Sequence, residues 1–355
     1  MGEFRTLGMW GTLVLGSAIV AACGDSPVVP PEERPLPTSC ADPGGVVHEG
    51  VFTGANWKAS DGPHHLHGAV TGQTLVIEAG ALICGAPGAA LGVGMLEAEG
   101  TADAPIVFTA RDPSQPWAGI KPSTITVTTI TLSHATVEHA IIGVQGTSSS
   151  EISISHSLIR QTQAQGILFG DGGTASLVGS VVDSACLSMC TDARGYAVVL
   201  QNLNGFHLED NQILNSGGGG VLVLWRASGV LLGGSIEGSA GIGLFLQEDQ
   251  GGGRSVRLTD AAPVRITGGS SYPASVPLQA AEMLLATREA QEGWLGNARD
   301  TVLVTAHASR ADEITIHPGL VWLVAGGGPA PTNRAAVIGS LELMAGAVLS
   351  LRAPS

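Results

Sequence analysis

The sequence predicts an all-β solenoid of stacked coils, on three observations. Apolar pairs five residues apart recur at Leu132/Val137, Ile154/Ile159, Leu177/Val182, Leu208/Ile213 and Leu231/Ile236, with spacings of 22, 23, 31 and 23 residues. Glycine and a second apolar run follow in the same frame, as in Gly166-Ile167-Leu168-Phe169 and Gly220-Val221-Leu222-Val223-Leu224. Glycine fills 51 of 355 positions while aromatics reach only 4%, and no helical stretch separates the apolar runs. Two or three short strands per repeat, with glycine at the corners, stack as coils rather than as βαβ units. Each coil then buries its apolar residues on its neighbours, and its amides pair along the stack at ~4.8 Å. The 31-residue turn carries extra residues around Cys186 and Cys190, and an insertion of that kind maps to an external loop.

Composition narrows the partners. Sixteen basic against 30 acidic residues give a net charge of −14, and lysine occurs only at Lys58 and Lys121. A negative chain without a basic cluster lacks the electrostatic footprint of nucleic-acid binding. The 44% hydrophobic content also argues against global disorder.

Residues 1–22 read as an export signal, because the apolar run at 10–20 is shorter than the ~20 residues of a spanning helix. The run ends in Val20-Ala21-Ala22-Cys23. Small residues before a cysteine resemble the lipobox of bacterial lipoproteins. That resemblance implies cleavage before Cys23, a diacylglycerol on its sulfur, and attachment to the cell envelope at the outer membrane or cell surface; the same run also fits an ordinary secretory signal. Five prolines between residues 24 and 39 make the following segment, up to residue 40, an extended tether. Setting Cys23 aside leaves Cys40, Cys84, Cys186 and Cys190, an even set. Export permits disulfides between Cys186 and Cys190 and between Cys40 and Cys84, subject to geometry.

The segments LSHATV, ISHSLI, LVGSVV, LEDNQI and LLGGSI, each followed by a Gly-apolar run, resemble the repeats of right-handed parallel β-helices of the pectate-lyase-like superfamily. Residues 66–120 also resemble the opening coils of bacterial surface β-helix proteins, through TLVIEAG, GTADAPIVF and WAGI. The resemblance implies a right-handed parallel β-helix over residues 41–268. It carries little information about activity, since this architecture hosts many.

Residues 269–355 read as an irregular α/β segment. The run at 278–292 suits one helix, 301–304 and 314–324 suit strands, and 340–349 repeats the form of the first coil. A last coil without a polar cap presents an open strand edge.

Stacking turns sequence offsets into columns. The position six after each anchor places Glu138, Arg160 and Asp183 on successive rungs, and then Leu214 and Glu237. As structure this is an alternating-charge ladder, and the pairing alone explains the signs. As chemistry, Asp183 and Glu138 would be carboxylates in a sugar groove with Arg160 orienting an anion. The position three after each anchor gives His134, His156, Gly179, Asp210 and Gly233, which reads as a turn column; the two imidazoles are its metal-binding alternative. The run His64-His65-Leu66-His67 reads as loop histidines at the start of the first strand, with His65 and His67 on one face and Leu66 on the other. Lyases and hydrolases of this architecture need clustered or paired carboxylates, but Asp171, Asp183, Asp192, Glu209 and Asp210 fall at different offsets. The expectation is therefore a non-catalytic, lipid-anchored surface protein without a cofactor, binding polysaccharide or an envelope protein. The alternatives are a polysaccharide lyase or glycoside hydrolase, and a structural or adhesive subunit.

Overall fold

The computed structural model describes residues 38–41, 44–123, 128–147, 149–190, 195–247, 256–305, 310–325 and 337–352. Cys23, the leader and the tether up to residue 37 lie outside them, as does Asp192.

The chain folds as a parallel β-helix. Three faces run through the stack between residues 129 and 277. Face A contains Thr129–Ser133, Glu151–Ser155, Thr174–Val178, Gly205–Glu209, Ser228–Leu232 and Arg257–Ala261. Face B contains Ala135–Glu138, Leu158–Arg160, Val181–Asp183, Gln212–Leu214, Ser235–Glu237 and Arg265–Thr267. Face C contains Val144–Gly146, Ile167–Gly170, Tyr196–Gln201, Gly219–Leu224, Leu244–Leu246 and Ala274–Pro277. Every pairing along these faces is parallel.

The two members of each apolar pair line the interior on different faces. Leu132, Ile154, Leu177, Leu208 and Leu231 are in register on face A, and Val137, Ile159, Val182, Ile213, Ile236 and Ile266 on face B. All are buried, each contributing about 1.5–3 kcal/mol relative to exposure.

The corners are turned by residues in the left-handed region. Between faces A and B these are His134, His156, Gly179, Asp210 and Gly233, with φ of 46° to 64°. Between faces B and C they are His139, Gln161, Ser184, Asn215, Gly238 and Gly268. A single such residue redirects the strand without breaking the ladder, and glycine, Asn, Asp and His tolerate that conformation best.

The first coils are wound differently. Val46–Trp57 and His64–Ile77 each run continuously across all three faces, pairing with each other over most of their length. His64–Ile77 then pairs with both Leu82–Gly85 and Ala90–Glu99.

The ladder continues beyond residue 268. Face C extends from Ala274–Pro277 through Thr301–Thr305 and Val321–Ala325 to Val348–Arg352. Arg310–Ile316 and Val337–Leu343 form a separate parallel pair. The strand expected over 314–324 is thus two strands, divided at a turn where Gly319 has φ 110°. The single helix expected over 278–292 is also two, α1 (Leu278–Leu284) and α2 (Arg288–Glu292). The break has a local cause: Thr287 is extended, and its hydroxyl accepts from the amide of Ala290, which starts a new helix. Leu278, Ala280, Ala281 and Leu284 bury one face of α1, which packs between Arg257–Ala261 and Arg310–Ile316.

Candidate functional site

The charged column forms on face B in the expected register, Glu138 beside Arg160 and Arg160 beside Asp183. Arg160 Nε donates to Glu138 Oε2 over 2.8 Å, and Glu138 is only 1% exposed. The carboxylate is therefore held beneath the surface by a guanidinium that reaches solvent, and it does not face a groove. Asp183 is half-buried and accepts from Ser184 Oγ at 3.1 Å and Asn215 Nδ2 at 2.9 Å. Burial pushes the neighbouring His139 toward its neutral form, with the Glu138 carboxylate opposing and Arg160 reinforcing the shift. These groups form a ladder rather than an acid and base held apart around a substrate.

His134 and His156 lie on adjacent rungs with ring centroids 5.2 Å apart and planes inclined by 15°. Their left-handed backbones account for histidine at these positions, as for Asp210 and the two glycines in the same column. Among the described residues no three His, Cys, Asp or Glu side chains form a group able to hold a metal ion.

The corner between faces C and A holds an arrangement that sequence reasoning missed. Asp171, Asn202 and Trp225 follow the face C strands of successive rungs, with φ of 66°, 51° and 50°. Together with Arg226 they line an open cavity of about 380 Å³. The rung with Asp171 and Gly172 has two consecutive positive φ values, filled by residues that tolerate them, while the rung with Asn202 has one. Trp225 and Arg226 take two in a row, with φ of 50° and 54°, using two bulky side chains. Each costs on the order of 1–3 kcal/mol, and such strain concentrates at functional sites. The amide of Asn202 donates to the Leu224 carbonyl, whereas that of Trp225 donates to the side-chain Oε1 of Gln247 at 3.1 Å. The sequence signal was available: LFGD, LQN and LWR end successive face C strands, and only the last departs from a turn-forming residue.

The amino-terminal end of the solenoid is a second concavity. His48, Phe52 and Trp57 of the first coil lie across the interior, and an open pit of about 430 Å³ is lined by these with Glu49, Asp61 and His64. The loop reading of His64, His65 and His67 is corrected here. All three belong to the strand His64–Ile77, and His64 and His65 are both buried, at 1% and 4% exposure. His64 stands in the interior column of face B, in register with Ile83. Burial of an imidazole is sustained by its partners: Nε2 donates to the Lys58 carbonyl at 3.0 Å and the ring packs on Trp57. Only His67 is half-exposed, 3.4 Å from Glu49.

Cys40 is joined to Cys84, tying residues 38–41 to the third coil, and Cys186 is joined to Cys190. The second disulfide closes the inserted loop, whose Leu187 and Met189 are 53% and 56% exposed. Among the described residues no helix is long and apolar enough to cross a membrane. Comparison of the chain with protein-family profiles, with curated proteins and with solved structures finds no match.

Proposed function

We propose that this protein is a lipid-anchored surface β-helix that binds a neutral polysaccharide without cleaving it, through the corner formed by Asp171, Asn202, Trp225 and Arg226. The observation that carries this reading is the pair of consecutive left-handed bulky residues at Trp225 and Arg226, strained in the cavity they line. An indole face with carboxylate, amide and guanidinium groups around it matches a sugar ring, apolar on its faces and rimmed by hydroxyls. The charge of −14 disfavours a polyanion. The buried, paired state of Glu138 supports binding over cleavage.

Membership of the pectate-lyase-like superfamily, export, and anchoring at the outer membrane or cell surface through Cys23 belong to the same proposal. They rest on the coil motifs, the Val20-Ala21-Ala22-Cys23 sequence and the proline-rich tether.

The test is retention on a panel of neutral and acidic polysaccharides, with parallel assays for new reducing ends and unsaturated sugars. Retention on a neutral polymer without product, lost in Trp225→Asn, is the expected result. Cleavage, or retention that ignores Trp225, overturns the proposal.

A further inference from the structure

His48 and His64 meet at the floor of the amino-terminal pit. Their nearest ring nitrogens, His48 Nε2 and His64 Nδ1, are 2.9 Å apart, while the ring centroids are 5.2 Å apart and the planes differ by 28°. That centroid distance is what two imidazoles have when they meet nitrogen to nitrogen in line, so the rings lie edge to edge. The Lys58 carbonyl accepts from His64 Nε2, which holds the proton there and leaves Nδ1 as a lone pair aimed at His48. His48 donates into it, and moving that proton to the other ring nitrogen leaves two lone pairs facing one another.

We infer that His48 and His64 form a binding site for a divalent transition-metal ion at this end of the solenoid, with Cu²⁺ held more tightly than Zn²⁺. Imidazole nitrogen is a ligand of choice for these ions, and copper outranks zinc at a given nitrogen site. Metal–imidazole bonds of ~2.0–2.1 Å at a roughly tetrahedral angle place the nitrogens about 3.4 Å apart with the ion off the line between them, so the gap opens by about 0.5 Å and the rings swing by about 70° in total from their in-line approach. His48 accommodates this on the largely exposed strand Val46–Trp57, two residues from Gly50, whose φ is 70°. A backbone carbonyl fixing the outer nitrogen of His64 is the usual device for orienting a metal-ligating histidine.

The surroundings favour a cation. The Trp57 indole lies 4.1 Å from the His48 ring, inclined by 25°, and 5.2 Å from the His64 ring, inclined by 13°. Its π face thus underlies both imidazoles and attracts positive charge. Glu49 and Asp61 line the same pit, leaving room for water to complete the coordination shell. The His134–His156 pair lies with ring planes 15° apart and centroids 5.2 Å apart on adjacent rungs, and the nitrogen-to-nitrogen contact is seen between His48 and His64.

The site is independent of the Trp225 corner, and so is its test. Cu²⁺ and Zn²⁺ are titrated into the metal-free protein by calorimetry, and the Cu²⁺ complex is examined by electron paramagnetic resonance. The expected result is one Cu²⁺ with hyperfine coupling to two imidazole nitrogens and quenched tryptophan emission. His48→Phe, which keeps an aromatic ring against Trp57, weakens binding by more than ~10-fold. His134→Asn/His156→Asn leaves it unchanged. Binding equal to wild type in a folded His48→Phe, or dependence on His134 and His156 instead, overturns the inference. Coupling to fewer than two nitrogens in the wild-type complex overturns it without recourse to any variant.

Discussion

Arg160 and Glu138 are joined across one rung of face B by a 2.8 Å charge-assisted hydrogen bond, and the carboxylate is buried while the guanidinium reaches solvent. Glu138 Oε1 has no hydrogen-bond partner among the described residues. Arg160→Met therefore strands a half-satisfied carboxylate in the interior and is expected to cost about 3–5 kcal/mol in denaturant unfolding. Adding Glu138→Gln to that variant is expected to recover most of the loss, because the charge and not the packing is at fault.

The corner columns make opposite predictions for two substitutions. Trp225→Asn places a residue that tolerates the left-handed region where a bulky one now stands, and is expected to stabilise the protein by about 1 kcal/mol. His156→Val forces a β-branched residue into the same conformation and is expected to cost about 1–2 kcal/mol. Thermal melts of both variants check the pair together.

Acid should loosen the amino-terminal coil first. The folded-state pKa of His48, about 4, lies below its ordinary value of 6.5, so the unfolded chain takes up the proton first as pH falls. The stabilisation is fully present above pH 6.5 and is lost progressively toward pH 4. With screening over the half-buried ring it amounts to roughly 1 kcal/mol, and His64 shifts in the same direction. Melting temperature against pH should fall through this interval in the wild type and fall less in His48→Phe.

The two disulfides should differ in weight. Cys40–Cys84 spans 44 residues and Cys186–Cys190 only four. On chain entropy their loss costs about 4 and about 2 kcal/mol respectively. Unfolding of the paired Cys→Ser variants by urea measures the ratio. An equal cost would show that the short bridge also holds the backbone of its loop, whose amides from Cys186 to Met189 reach carbonyls of residues 162–164.

Some of this was readable before any fold existed. The interior columns at Leu132 and Val137 and the ladder at Glu138, Arg160 and Asp183 follow from spacing alone, because a stack of near-equal coils converts sequence offset into height. The histidines at 134 and 156 were likewise legible as turn residues. The break before α2 was local too, carried by Thr287, but the apolar content of 278–292 masked it.

Other features had no local signature. Alternation placed His65 and His67 together and treated all three histidines as loop residues. Burial of His64 depends on Trp57 and the Lys58 carbonyl, which reach it only once the first two coils pair. Nor does an isolated Trp-Arg dipeptide announce strain. The corner geometry is set by the ladders on either side, and Asp171 and Asn202 come from rungs 54 and 23 residues earlier.

By itself, then, the sequence determined the coil period, the inward columns and the register of the charged ladder, since all three depend on which residue falls at which offset. Only the tertiary structure decided which side chains share a cavity and which carry strain. Those depend on backbone conformation and on neighbours brought close by stacking, and His48 and Trp57, which have no coil above them among the described residues, follow a different rule from the side chains between two coils.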